Sequence, residues 1–193
     1  MHFLCDAFFA RPCGASMSQK VDKTCPRRAR IIGIGSPVAD DDAGWRLAEA
    51  LKTADLGRNL PKGSVDVVTC DHPGHLLLGI LHGLRLAIIV DAMHTGIKLG
   101  SLRKLEMRDL DKTMARTSHS FGVANILALG HALGVLPPRV ILYGIEAGPR
   151  SRMPSPSVWV KQCEKAMRED IRQALNDTSL DASSQSFHSV SST

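Results

Sequence analysis

Short continuous apolar runs alternate along the chain with stripes of apolar residues at helical spacing. Ile31, Ile32 and Ile34 form a β-branched run that predicts a buried strand, and Gly33 and Gly35 let the chain turn sharply after it. Trp45, Ala48 and Leu51 then repeat at helical spacing, predicting a helix of about ten residues that ends near Lys52. Gly57, Pro61 and Gly63 break the connection from Leu56 to Gly63, and Val65 to Thr69 reads as a second strand. Leu76, Leu77, Ile80 and Leu81 outline a further helix. Leu86 to Val90, LAIIV, is apolar without alternation, which predicts a central strand buried on both faces.

The second half continues the alternation. Ser101 to Met107 alternates loosely and carries charge, as an exposed edge strand does. Asp109 to Ser118 is a polar connection. Val123, Ile126, Leu127 and Ala132 outline a helix from Ser120 that stops at Gly134, before Pro137 and Pro138. Val140 to Gly144 is another strand, with Glu146 just beyond its end. The last helix is capped by Ser155, has Pro156 at its first position, and turns Val160, Cys163, Met167, Ile171 and Leu175 inward.

Alternating strands and helices predict an α/β fold, a three-layer α/β/α sandwich with a mostly parallel sheet of about five strands. With 193 residues, 44% of them hydrophobic, the chain suffices for one domain with a proper core. That domain is expected at residues 29–175. Residues 1–28 lack periodicity and read as a disordered or misassigned N-terminal extension; their apolar patch weakly imitates a signal peptide but has no positively charged leader, and Met17 is an alternative start. Residues 176–193 are rich in Ser and Thr and bury too little apolar surface to order themselves.

Composition narrows the function classes. The net charge of +5 is spread along the chain, apart from Arg27, Arg28 and Arg30, and there is a single Tyr. Without basic and aromatic residues interleaved, no nucleic-acid surface is expected. Nothing approaches the run of about 18 apolar residues that a membrane span needs, so no membrane partner is expected. Cys5, Cys13, Cys25, Cys70 and Cys163 form neither a disulfide framework nor a zinc pattern. A reducing compartment, the cytoplasm, is the simplest inference. A monomer is expected, because no exposed apolar helix stands out.

Candidate chemistry sits where strands end. Asp40, Asp41 and Asp42 fall at the cap and first turn of the first helix. Acids there cap free N–H groups and complement the helix dipole, at roughly 0.5–1 kcal/mol each, which accounts for one or two of them. Three in succession repel one another, and a visiting cation or positive substrate group would relieve that; capping and a site remain alternatives. Asp91 ends the most hydrophobic strand, where a carboxylate must be hydrogen-bonded, paired or metal-bound to offset its desolvation. His119 precedes a helix N-terminus, whose dipole favours a neutral ring suited to ligation or general-base work. Asp71 and His72 follow the second strand; with His75 they resemble a metal cluster, but the proline and glycine between the histidines suit a substrate-facing loop better. In this fold Asp41, Asp91 and His119 all fall on the loop side. Two carboxylates and an imidazole from three loops suit a borderline-hard cation with positions left open.

These motifs resemble the hydrogenase maturation proteases over about residues 29–175. The strand, the turn through Gly33, Gly35, Ser36 and Pro37, and the acids Asp40 and Asp41 before Gly44 are similar to the family's opening. Asp91-Ala92 matches its second signature, Ser118-His119 with Gly122 its third, and Tyr143 to Glu146 a late element. The resemblance implies an endopeptidase that removes the C-terminal extension of a nickel-iron hydrogenase large-subunit precursor after nickel insertion. It also implies that Asp41, Asp91 and His119 contact nickel supplied by the precursor, so no tightly held cofactor of its own is expected. Relatives often carry a glycine-threonine loop after the second strand, where this chain has Cys70, Asp71 and His72.

Three other readings compete. A dinucleotide-binding module would need a third glycine where Val38 stands, and the acids would repel a pyrophosphate. A metal-dependent exopeptidase or amidohydrolase would use the same triad on its own metal, and a non-catalytic relative would only bind the precursor.

Overall fold

A computed structural model describes residues 28–36, 42–71, 73–106 and 120–177. The expectations for the N-terminal extension, the Asp109 to Ser118 connection and the C-terminal tail lie outside these residues. The elements are β1 (Ala29–Ile34), α1 (Ala43–Leu51), β2 (Val65–Cys70), α2 (His75–Leu81), β3 (Leu86–Met93), β4 (Leu102–Glu106), α3 (Ser120–Ala132), β5 (Arg139–Glu146), a 3-10 turn (Arg150–Arg152) and α4 (Pro156–Asn176). The strands form one five-stranded sheet in the order β2-β1-β3-β5-β4. β1 pairs in parallel with β2 and β3, and β3 with β5, while β4 runs antiparallel along the edge of β5. This is the expected α/β architecture.

Alternation along the strands divides the core in two. Ile31, Leu86, Ile88, Val90 and Ile141 face a layer built by Leu47 and Leu51 of α1 and Trp159, Cys163, Met167 and Ile171 of α4. Ile32, Ile34, Ala87, Ile89 and Leu142 face Leu77 and Leu81 of α2 and Val123 and Leu127 of α3. Each fully buried aliphatic side chain contributes about 1.5–3 kcal/mol. All eight residues of β3 are buried, as the unbroken apolar run predicts.

Tertiary pairing changes several boundaries. β3 does not stop before Asp91; it runs on to Met93, because β5 is long enough to pair Asp91 with Gly144 and Met93 with Glu146. Glu146 is accordingly the last residue of β5 rather than a residue beyond it. In α1 the buried residues are Ala43, Gly44, Leu47, Ala48 and Leu51, and Trp45 is displaced to the flank. The helix face against the sheet is too close to admit an indole. In α4 the inward face carries Trp159 and Asp170, while Val160 is only partly buried. Asp170 takes Lys104 Nζ of β4 at 2.7 Å and Arg139 Nη2 of β5 at 2.9 Å, so a buried carboxylate ties α4 to the sheet edge.

Two further features concern the surface and the base. Arg85, 4% exposed just before β3, donates to the carbonyl oxygens of Ala174 (3.3 Å) and Asp177 (2.7 Å), closing the end of α4. Leu76 of α2, Leu129 of α3 and Leu133 just after it are exposed, so the absence of an exposed apolar helix is no longer a ground for expecting a monomer. Among the described residues no helix is long and apolar enough to cross a membrane.

Candidate functional site

The strand order places a crevice. From β1 the chain steps outward to β2 and then returns to the other side of β1 as β3, so the carboxyl ends of β1 and β3 border the point where the winding reverses. Ligands of open α/β sheets bind there.

Two glycines bring α1 down onto this crevice. A Cβ on Gly44 would stand 2.5 Å from the Ile34 carbonyl oxygen and closer still to that of Val90. One on Gly33 would stand 2.5 Å from the Gly44 carbonyl oxygen and also strike Ala48. Only glycine permits such an approach of helix to strand. The first turn of α1 is thus pressed against the carboxyl ends of both strands, one residue from Asp91. The acid stretch enters this turn through Asp42.

Asp91 is 5% exposed, and its Oδ1 accepts the Ala92 N–H at 2.8 Å. Val90 and Ala92 belong to the α1/α4 core, so by strand alternation Asp91 turns to the face covered by α2 and α3. α3 begins on that side at Ser120, immediately after His119 in the sequence. Asp41, His119 and His72 themselves lie outside the described residues. Asp71 is exposed at the end of β2, on the outer edge of the sheet and two strand spacings, about 10 Å, from β3. It flanks the crevice instead of entering it.

Glu146 shapes the rim. It is 3% exposed and accepts the N–H of Thr95 at 2.8 Å, the N–H of Gly96 at 2.7 Å and the Thr95 hydroxyl at 2.6 Å. Burial pushes its carboxyl up, but these hydrogen bonds outweigh burial and, with His94 nearby, hold it below the ordinary 4.5. A charged Glu146 therefore fastens the loop that leaves β3 after Met93.

Asp42 is fastened from two sides. It occupies the N-cap position of α1 yet makes no side-chain cap hydrogen bond. Its Oδ1 lies 3.7 Å from Arg46 Nη1, and its Oδ2 lies 3.3 Å from Arg150 Nε in the turn after β5. The Arg46 guanidinium stands over the Trp159 ring, 5.6 Å from its centroid, and the Trp159 indole donates to the Gly100 carbonyl at 3.0 Å. The spacing of Asp42 and Arg46 by one helical turn was open to a sequence reading; the approach of Arg150 and Trp159 was not.

Among the described residues no thiol nucleophile is offered here. Cys70 is buried at the end of β2, and burial pushes the Cys163 thiol up to about 12. No three His, Cys, Asp or Glu residues come together among the described residues as a metal site. Among the described residues, the crevice presents the buried carboxylate of Asp91, Asp42 at the N-cap of α1, and a rim loop held by Glu146. Carboxylates so placed suit water activation or contact with a cation.

Comparison with known proteins bears on this arrangement. The profile of the HycI family, hydrogenase maturation protease, matches residues 45–176 and so begins just after the acid stretch. The search of curated proteins gave no match. Among solved structures, the hydrogenase maturating endopeptidase HybD from E. coli is 23% identical, with a TM-score of 0.54 over 77% of this chain and 91% of its own. The maturation protease HycI from Thermococcus kodakarensis is 24% identical, with a TM-score of 0.50 over 78% and 93%. These structures share the fold. The profile covers more than half of the chain, from the helix that borders the crevice through Asp91 to the end of α4, and the chain therefore belongs to the hydrogenase maturation proteases, a family of peptide hydrolases.

Proposed function

We propose that this protein is the endopeptidase that removes the C-terminal extension of a nickel-iron hydrogenase large-subunit precursor once nickel is inserted, and that the nickel carried by the precursor is what it recognises. Asp41, Asp91 and His119 contact that nickel, and Asp71 and His72 belong to a loop that meets the precursor. The observation that carries this reading is the pressing of Gly44 against the Val90 carbonyl, which brings the helix entered by the acid stretch to the residue next to Asp91.

The chemistry follows from the residue types. Hydrolysis of a peptide bond needs an activated water and a polarised carbonyl. A carboxylate of Asp41 or Asp91 takes the proton of the water, and a nickel ion borne by the substrate supplies Lewis acidity at the same place. Nickel is part of the substrate here, so the protease holds no tightly bound metal of its own. It acts in the cytoplasm, without nucleic acid or membrane as partner.

The test is the mass of a large-subunit precursor after incubation with the protein, with and without nickel in the precursor. Loss of one C-terminal peptide from the nickel-loaded form alone is expected. Cleavage of both forms would overturn the nickel checkpoint, and cleavage of neither would overturn the assignment. Metal analysis of protein purified without chelators is expected to give well below one metal per chain; a stoichiometric metal would favour the exopeptidase or amidohydrolase reading.

A further inference from the structure

We propose that Asp42 is a positioning residue for this reaction and that Arg150 is the latch that holds it. The proposal rests on the function just given and concerns how the start of α1 is held against the carboxyl end of β3. Asp42 stands where a helix cap belongs, but its side chain does no capping. Its carboxylate is buried, with the side chain 3% exposed, and is spent on two arginines from different parts of the chain. Arg46 belongs to α1 itself and is backed by Trp159 of α4. Arg150 comes from the turn after β5 and is 59% exposed.

A carboxylate kept out of water at this position costs desolvation, and it makes the weaker of the contacts open to it. Arg150 Nε lies at an ion pair's distance from Oδ2, but Oδ2 has no aligned hydrogen-bond donor. Stability alone would be served better by a capping Asp or Ser and an apolar neighbour. What the arrangement achieves is mechanical. Glu146 at the end of β5 fixes the loop after β3, and Arg150, shortly after Glu146, fixes the residue to which Asp41 is bonded. The end of β5 thereby ties down both the loop after β3 and the start of α1. A misplacement of about 1 Å costs a reaction on the order of 100-fold.

Arg150→Gln and Asp42→Asn, singly and together, test this against wild type, with kcat and KM measured on a nickel-loaded precursor and Tm measured alongside. Because Arg150 is largely exposed, Arg150→Gln is expected to keep its Tm within about 2 °C. Its kcat is expected to fall about 10- to 100-fold at unchanged KM, with partial recovery in Arg150→Lys. The double variant is expected to be no slower than the slower single one, since both break the same clasp. An unchanged kcat in Arg150→Gln would overturn the proposal, as would a raised KM at unchanged kcat, which would make Arg150 a docking contact. Additive losses in the double variant would also overturn it. Failure of the wild type to cleave any precursor would remove the functional reading itself, and the proposal with it.

Discussion

Asp91 and Glu146 show how much one carboxylate depends on its surroundings. Asp91→Asn keeps an oxygen for the Ala92 N–H but removes the charge, so cleavage is expected to fall about 100-fold or more while circular dichroism stays that of the wild type. Glu146→Gln weakens three hydrogen bonds that the charged form accepts, at a cost of about 2 kcal/mol in denaturant unfolding. The pH dependence has a definite sign. The folded carboxyl is held below 4.5, so its stabilisation is present above that pH and lost as the pH falls below it. Glu146→Gln is expected to flatten that acid limb of the stability curve. The acid at the end of the apolar run was legible in the sequence because burial makes a lone carboxylate conspicuous. The partners of Asp42 and Glu146 were not, since they meet only where strand ends converge.

Among the elements, α1 is the most constrained. Gly44→Ala drives a methyl group into two strand carbonyls, and backbone oxygens do not move aside as a flexible side chain does. The helix must lift, at a cost of about 3 kcal/mol in denaturant unfolding and with loss of cleavage as the start of α1 moves away from the end of β3. Gly79→Ala is the control: α2 offers open space there, and the change is expected to stabilise by about 0.5–1 kcal/mol. Equal effects of the two substitutions would contradict this packing. Periodicity identified α1 but placed Trp45 on its inner face, because spacing says which residues share a side and not how near the sheet stands.

At the scale of the whole molecule, the edge of the sheet and the longest helix are held by one buried charge. Asp170→Ala leaves Lys104 and Arg139 without their carboxylate and is expected to cost about 3 kcal/mol in denaturant unfolding, a loss that Lys104→Met in the same chain should partly relieve. Tyr143, whose phenol burial and the Asp170 charge push upward, lies beside this network and stays neutral. The order of strands and helices, the central place of β3, the edge place of β4 and the acids at strand ends were determined by the sequence alone, because burial imposes its period directly on the chain. Only the tertiary structure decided that the winding reverses between β1 and β3, that β3 and β5 run on through Asp91 and Glu146, and that Arg150 reaches Asp42. Local periodicity carries no information about which strands become neighbours; that is settled by the packing of both layers at once.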